Sequence, residues 1–180
     1  MSKNVLILSS SPRKGGNSDL LCDEFMKGAV EAGHSAEKIF LKDKNINYCT
    51  GCGLCVNNDY AGCFKKDDMA EVLDKMIKAD VIVMATPVYF YTMSAQMKTV
   101  IDRCCAKYTK ISNKEFYFIA TAADSDKNSL ERTFDSFRGF TDCLIGAVEC
   151  GLLYATGVWT KGEVLNSSLM KEAYEMGRGV

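Results

Sequence analysis

The chain has 180 residues, a formal net charge of −1 and a single histidine. Hydrophobic residues make up 47% of it and charged residues 25%, which are ordinary values for a soluble globular protein. The length predicts one domain, 1–180, and the lack of a basic run argues against a nucleic-acid partner and against a polybasic membrane anchor.

The N-terminal sequence MSKNVLILSSSP contains an apolar run that is too short for a signal peptide or for a membrane span. We therefore expect a cytoplasmic protein with no membrane partner. Nine cysteines are many for such a chain. In a reducing compartment they are candidates for metal ligands, redox groups or buried residues rather than for structural disulfides.

Short apolar runs alternate with amphipathic stretches along the chain. The predicted strands are Asn4–Ser9, Ser35–Leu41, Asp80–Thr86, Glu115–Ala122 and Val148–Ala155. The predicted helices are Asn17–Ala32, Asp68–Lys78, Ser94–Ala106, Ser129–Ile145 and Leu165–Met176. All strands except the second are apolar on both faces, which is typical of a buried parallel sheet, whereas the second alternates like an edge strand. This order predicts an α/β fold, a doubly wound three-layer sandwich.

The loop after the first strand, SSSPRKGGNS, opens the first helix. In such folds ligands bind beyond the carboxyl ends of the strands. Backbone N–H groups and the helix dipole attract an anion there, and serine hydroxyls and Arg13 can add hydrogen bonds. The loop matches neither the dinucleotide fingerprint nor the Walker motif. A phosphate site is favoured over the alternative, a polar loop with a helix cap.

Two later loops fall at the same predicted edge of the sheet. In TPVYFYTMSAQMKTVIDR, Tyr89, Phe90 and Tyr91 follow the third strand, where they can wall a planar ring or simply pack the loop. In TAADSDKN, the small residues Ala122 and Ala123 would let the backbone approach a flat ligand.

Four cysteines stand close together in YCTGCGLCVNNDYAGC, at Cys49, Cys52, Cys55 and Cys63. Their spacing suits a 4Fe–4S cluster, because a short glycine-bearing loop can aim three thiolates at one cubane. Free or redox-active thiols are the main alternative, and zinc is a weaker one. The remaining cysteines, Cys22, Cys104, Cys105, Cys143 and Cys150, are predicted to pack in the fold. With His34 in a turn, catalysis by a Ser-His-Asp or Cys-His set is disfavoured.

The first two loops together resemble the corresponding segments of the NADPH-dependent FMN reductase group of the flavodoxin-like superfamily. The resemblance implies a flavodoxin-like sandwich with a five-stranded parallel sheet of order 2-1-3-4-5 that binds FMN. It implies phosphate contacts from Ser9, Ser11, Arg13, Asn17 and Ser18. It implies contacts to the ribityl chain and the isoalloxazine from Pro87, Val88, Tyr89 and Phe90, and to the other edge of the ring from Thr121, Ala122, Ala123 and Asp124. Ser10 stands where the group often has glycine.

The cysteine run also resembles the insertion of a subset of this group, the iron–sulfur flavoproteins. That likeness implies a cysteine-rich insertion at about residues 45–66 and a 4Fe–4S cluster on Cys49, Cys52, Cys55 and Cys63. The implied function is an FMN-dependent NAD(P)H oxidoreductase of the flavin or quinone reductase type, which needs no acid–base residue. Its implied partners are a nicotinamide cofactor, a small-molecule or protein electron acceptor, and further copies of itself in a homodimer or homotetramer.

Two alternatives remain open from the sequence. The first is a flavodoxin-like electron-transfer protein without substrate turnover of its own, although the chain lacks the acidic balance of a small carrier. The second is a non-redox interaction protein that keeps the fold.

Overall fold

A computed structural model describes all 180 residues of the chain. One parallel sheet forms in the order β2-β1-β3-β4-β5, which confirms the predicted fold and strand order. The strands are β1 Asn4–Ser9, β2 Ser35–Phe40, β3 Val81–Pro87, β4 Glu115–Thr121 and β5 Val148–Ala155. Strand order reverses between β1 and β3, so the loops after these two strands diverge from a shared crevice.

Six α-helices accompany the sheet. They are α1 Asn17–Glu31, α2 Leu54–Asn57, α3 Met69–Lys78, α4 Ala95–Arg103, α5 Asn128–Thr141 and α6 Ser168–Arg178. Short 3-10 turns lie at Leu41–Asp43, Cys104–Ala106, Tyr108–Lys110 and Glu163–Asn166. The four-residue α2 was not predicted, and α5 ends four residues before the predicted Ile145. None of the helices combines the length and the apolar character that crossing a lipid bilayer requires.

The sheet separates two hydrophobic cores. Alternate residues of β1 point to opposite faces, so Leu6 and Leu8 enter one core while Val5 and Ile7 enter the other. Helices α3, α4 and α5 cover the first core, and α1 and α6 cover the second. Every residue of β3 is buried, as expected for a central strand with helices on both sides.

Helices α1 and α6 cross at very short range. A Cβ atom placed on Gly28 would lie 2.1 Å from the backbone oxygen of Tyr174, and one on Gly177 would lie 2.0 Å from that of Phe25. Both distances are far below a van der Waals contact, so only glycine fits at either position. The contact braces α1, the helix whose N-terminus follows the predicted phosphate loop.

Several sequence expectations differ from the structure. β5 is an edge strand whose first three residues are exposed, so Cys150 is exposed. Cys105 and Cys143 are exposed as well, and the prediction that these three cysteines pack in the fold is wrong. Asp68, the residue before α3, does not cap the helix with its side chain, because its carboxylate accepts a hydrogen bond from Asn45 N–H at 2.7 Å. The neighbouring Asp67 accepts one from Met69 N–H at 3.2 Å.

Candidate functional site

The loop between β1 and α1 is held in shape by its own hydrogen bonds. Ser11 Oγ donates to the Arg13 carbonyl at 2.8 Å, and Gly16 N–H donates to the same carbonyl at 2.9 Å. A Cβ atom on Gly16 would lie only 2.7 Å from Ser11 Oγ. The turn therefore needs glycine at this position to bring the chain back tightly onto the start of α1.

Asp19 fixes the loop from within the first turn of α1. Its buried carboxylate accepts hydrogen bonds from Ser9 Oγ at 3.0 Å, Gly15 N–H at 2.9 Å and Lys38 Nζ at 2.9 Å. Burial alone would raise the pKa of Asp19, but the hydrogen bonds, led by that from Lys38, outweigh it and hold the pKa below its ordinary value. An acidic side chain in a first helical turn is ordinary, so the sequence gives no signal of this role.

Donors and an acceptor remain free at the start of α1. The backbone N–H groups of Asn17 and Ser18 have no intrahelical acceptor and make no other backbone hydrogen bond. The side chain of Asn17 is buried, and its Nδ2 donates to the Thr160 carbonyl at 3.0 Å while its Oδ1 has no partner. An orphaned buried acceptor is unfavourable unless a ligand supplies a donor.

A cavity of about 320 Å³ opens beside this helix terminus. The residues around it come from four separate segments: Arg13, Asn17, Pro87, Val88, Tyr89, Thr121, Ala122, Ala123, Val158 and Trp159. The volume lies in the usual range of small-molecule sites. Eight of the predicted flavin-binding residues therefore meet at one cavity, although their role in binding stays a prediction.

The other five predicted residues do not line that cavity. The hydroxyls of Ser9 and Ser11 are bound to Asp19 and to the Arg13 carbonyl, whereas Ser18 is buried within α1. Asp124 closes its own loop, with its carboxylate accepting from Asp126 N–H at 2.9 Å. Phe90 is 99% exposed on a protruding turn.

That turn is strained. Tyr89 and Thr92 exchange two backbone hydrogen bonds, of 2.9 and 3.1 Å, which leaves Phe90 and Tyr91 as the two central residues. Their φ angles are 50° and 64°, in the left-handed region that bulky side chains rarely adopt. Strained backbone of this kind is often found at binding sites. Here the turn leaves the rings of Phe90 and Tyr91 exposed next to Tyr89, which lines the cavity.

The loop after β5, which contains none of the predicted site residues, forms a further wall of the cavity. The N–H groups of Trp159 and Thr160 donate to Glu163 Oε2 at 2.6 and 2.8 Å, which curls the loop. The carbonyls of the same two residues accept from Arg13 Nη2 at 3.4 Å and from Asn17 Nδ2 at 3.0 Å. The Trp159 ring is 76% exposed at the mouth of the cavity.

Arg103, at the end of α4, links the two ends of the cysteine-rich insertion, residues 45–66, by hydrogen bonds; these two ends are its base. Arg103 Nη1 donates to the Asn47 carbonyl at 2.5 Å and to Asp67 Oδ2 at 2.7 Å, and Nη2 donates to Asp67 Oδ1 at 2.9 Å. The side chains of both charged residues are 1% exposed. The hydrogen bonds from Arg103 hold the pKa of Asp67 well below its ordinary range.

The four cysteines of the insertion are not gathered into one site. Cys49 and Cys52 are exposed, whereas Cys55 and Cys63 are half-buried against the first core. None of them lines the cavity. Nowhere in the chain do three or more Cys, His, Asp or Glu side chains converge closely enough to hold a metal ion. The predicted ligand set therefore does not match the arrangement of these side chains.

Residues 3–147 match the family model described as NADPH-dependent FMN reductase. An iron-sulfur flavoprotein of Archaeoglobus fulgidus is 43% identical over 101 residues, which is 56% of this chain and 44% of that protein. Iron-sulfur flavoprotein MJ1083 of Methanocaldococcus jannaschii is 42% identical over 99 residues, which is 55% of this chain and 50% of that protein. The matched part spans about half the length of these curated relatives.

The fold is similar to that of a solved NAD(P)H:quinone oxidoreductase from Methanothermobacter marburgensis. The TM-score is 0.79 at 17% identity, over 99% of this chain and 96% of that one. At this identity the likeness supports the fold alone. The family match covers most of the chain and includes both loops that diverge from the crevice. The chain thus belongs to the NADPH-dependent FMN reductase family.

Proposed function

We propose that this chain, as a single domain of residues 1–180, binds FMN in the cavity beside α1 and is an FMN-dependent NAD(P)H oxidoreductase. The observation that carries the proposal is the start of α1. Two free backbone N–H groups and an unpartnered buried Asn17 Oδ1 lie next to a cavity of small-molecule size. The N–H groups suit a phosphate, and the amide oxygen suits a ribityl hydroxyl.

The protein would hold the cofactor by parts that differ in chemistry. The first turn of α1 and Arg13 supply positive potential for the phosphate. Pro87, Val88 and Tyr89 form one wall of the cavity. The short side chains of Ala122 and Ala123 in another wall would let the backbone approach the flat ring closely. Bound FMN supplies the redox chemistry, two-electron transfer from a reduced nicotinamide to an acceptor. The chain's own residues orient the ring and limit water, with no acid–base residue assigned.

A variant that fills the cavity tests the proposal. Ala123 lines the cavity and is itself exposed, so Ala123→Trp should obstruct the ring without disturbing either core. We expect FMN binding, followed by quenching of flavin fluorescence, to weaken at least about tenfold, which corresponds to about 1.4 kcal/mol. The matched control is Ala32→Trp, the same change at an exposed position beyond the end of α1.

Turnover separates the enzyme from an electron carrier. Purified protein with FMN should oxidise NADH or NADPH in the steady state when a quinone or free flavin is present as the acceptor. Absence of turnover with either donor, together with rapid one-electron exchange with a ferredoxin, would support the carrier instead. Failure of the wild-type chain to bind FMN at all would contradict the proposed cofactor site.

The 4Fe–4S cluster is supported by the cysteine spacing and by the names of the two relatives, both iron-sulfur flavoproteins. The four thiols are not arranged to hold a cluster in this structure. Anaerobic purification followed by iron and acid-labile sulfide analysis tests it. Iron and sulfide well below one cluster per chain, with FMN present, would remove it from the proposal.

We also propose a homodimer or homotetramer. The support is the group of large apolar side chains left exposed: Phe90, Tyr91, Ile145, Val148, Trp159 and Leu165. Light scattering coupled to gel filtration measures the mass directly. A monomer that binds FMN normally would contradict the proposed assembly while leaving the cofactor site intact.

A further inference from the structure

The thiols of the cysteine-rich insertion face two different neighbours. Cys63 lies beside the guanidinium of Arg103, in a small pocket that also includes Lys107. Burial raises the pKa of Cys105, and the thiols of Cys55 and, less strongly, Cys49 add to this shift, so both lie near Cys105. The insertion therefore directs one of its half-buried cysteines to a cation and the other to a thiol outside the run.

The 3-10 turn Cys104–Ala106 places its two adjacent thiols in different environments, one buried and one exposed. Cys104 is buried in the first core, where its Sγ lies 3.9 Å from Met76 Sδ. Cys105 is exposed. The turn thus exposes one sulfur next to the insertion and keeps the other inside the protein.

The two segments that carry Cys55 and Cys105 are fixed against each other. Helix α2, which contains Cys55, packs on the 3-10 turn that contains Cys105. Next to this contact the rings of Tyr60 and Tyr108 meet edge to face, with centroids 5.5 Å apart. The base of the insertion is held by the buried pair of Arg103 and Asp67. Cys49, by contrast, lies in an exposed stretch outside any helix or strand.

We propose that Cys55 and Cys105 are a redox pair, which a peroxide oxidises to a disulfide that joins the cysteine-rich insertion to the end of α4. One thiolate sulfur attacks a peroxide oxygen, the O–O bond breaks, and hydroxide leaves and takes up the proton that the thiol released, which gives water and a sulfenic acid. The second thiol attacks that sulfur, the S–S bond forms, the S–O bond breaks, and a second water leaves. The two sulfurs together lose two electrons, and hydrogen peroxide gains them.

The pair goes beyond the proposed function, because it requires neither FMN nor a nicotinamide. It also uses a cysteine that the spacing of the run does not include. A disulfide would take Cys55 out of the thiolate state that metal ligation requires, so oxidised protein should not be able to use that residue as a ligand.

Peptide mapping of the full chain tests the pair. The protein is reduced with dithiothreitol, desalted in the presence of EDTA, treated with stoichiometric hydrogen peroxide, alkylated and digested with trypsin. Peptide 45–65 carries Cys49, Cys52, Cys55 and Cys63, and peptide 104–107 carries Cys104 and Cys105. We expect a disulfide between these two peptides within one chain, with a yield that does not depend on protein concentration.

Matched variants identify the sulfurs. Cys105→Ser and Cys55→Ser should each abolish the cross-link, whereas Cys104→Ala, which removes the buried neighbour, and Cys143→Ser, which removes an exposed cysteine elsewhere, should retain it. Circular dichroism checks that each variant folds. If one does not, fragmentation of the wild-type cross-linked peptide locates the bonded residues instead.

Two results would overturn the proposal. One is a set of disulfides confined to peptide 45–65 while Cys105 is alkylated in full. The other is a cross-link that survives in folded Cys105→Ser protein. Neither result bears on FMN binding, so the pair and the proposed function stand or fail separately.

Discussion

Asn17 uses only part of its side-chain amide within the protein. Its Nδ2 donates to the Thr160 carbonyl, which ties the start of α1 to the loop after β5, and its Oδ1 is buried without a partner. A residue that connects two walls of the cavity and still has an unused acceptor is well suited to sense a ligand. Its substitution should therefore affect binding more than stability.

We expect Asn17→Asp to weaken FMN binding about 10- to 100-fold. The substitution removes the donor to Thr160 and adds a negative charge next to the proposed phosphate position, a combined effect of about 1–3 kcal/mol. Titration of free FMN, followed by quenching of flavin fluorescence, measures the dissociation constant. Asn58→Asp makes the same change of charge at an exposed position of the insertion and should leave binding unchanged. An unaltered dissociation constant for Asn17→Asp would exclude this residue from the site.

Several single residues have contacts or an exposure that the sequence does not indicate. Asp19 and Glu163 read as ordinary solvent-facing acids, and only the folded loops reveal that they accept backbone N–H groups on either side of the cavity. Cys143 and Cys150 looked like core residues because cysteine is usually buried. The exposure of Cys150 follows from the position of β5 at the sheet edge, and that of Cys143 from its place after the end of α5, neither of which residue type alone encodes.

The base of the cysteine-rich insertion depends on one buried ion pair. Asp67→Asn should lower the free energy of unfolding by about 3–5 kcal/mol, because it leaves the Arg103 guanidinium buried without a counter-charge. Urea unfolding at pH 7 measures the difference. Asp142→Asn, at an exposed position after α5, is the matched control and should stay within about 0.5 kcal/mol of wild type.

The same pair predicts a pH dependence with a definite sign. The pKa of Asp67 is lowered in the folded state, so its contribution to stability is complete above the unfolded pKa of about 3.9 and is lost as the pH falls below that value. The stability gap between wild type and Asp67→Asn should therefore be constant from about pH 5 to 7 and should narrow towards about pH 2. A gap that does not change across this range would contradict the assignment.

The Tyr89–Thr92 turn illustrates strain at the level of a single element. Its central residues Phe90 and Tyr91 both have positive φ angles, a conformation that Asn-Gly adopts readily. The double variant Phe90→Asn/Tyr91→Gly should raise the free energy of unfolding by about 1–3 kcal/mol, measured in urea. The control Phe90→Ala/Tyr91→Ala removes the same rings but keeps the strain, so it should show no such gain. Equal stability of the two double variants would argue against strain in the turn.

At the scale of the whole molecule, the contact of α1 with α6 leaves no room for a side chain. Gly177→Ala should lower the free energy of unfolding by more than about 2 kcal/mol, because its Cβ would collide with the Phe25 backbone. Gly139→Ala, inside α5 with nothing within 4 Å of the added carbon, should stabilise the protein by up to about 1 kcal/mol. Thermal unfolding of both variants tests the contrast. A similar response from the two glycines would contradict the close crossing.

The general architecture followed from the sequence, since five apolar runs alternating with helical patterns leave few topologies. The bounds of β1 and β5 agree with the prediction to the residue. Helix α2 escaped prediction because four residues are too short for a periodic pattern. The neighbours of Cys55 and Cys63 were equally inaccessible, because they lie about 40–50 residues further along the chain, and no local spacing encodes contacts of that kind.

Each of the two cores contains one buried cysteine, so the local opening of each core can be followed separately. Cys22 is buried in the core between the sheet and α1, and Cys104 is buried in the core on the opposite face. Burial raises the pKa of both thiols, so neither reacts appreciably with an alkylating reagent while its surroundings are closed. The alkylation rates of Cys22 and Cys104 therefore report separately on the opening of the two faces of the sheet. Pulse alkylation followed by mass spectrometry can tell whether the two faces open in one event or in sequence.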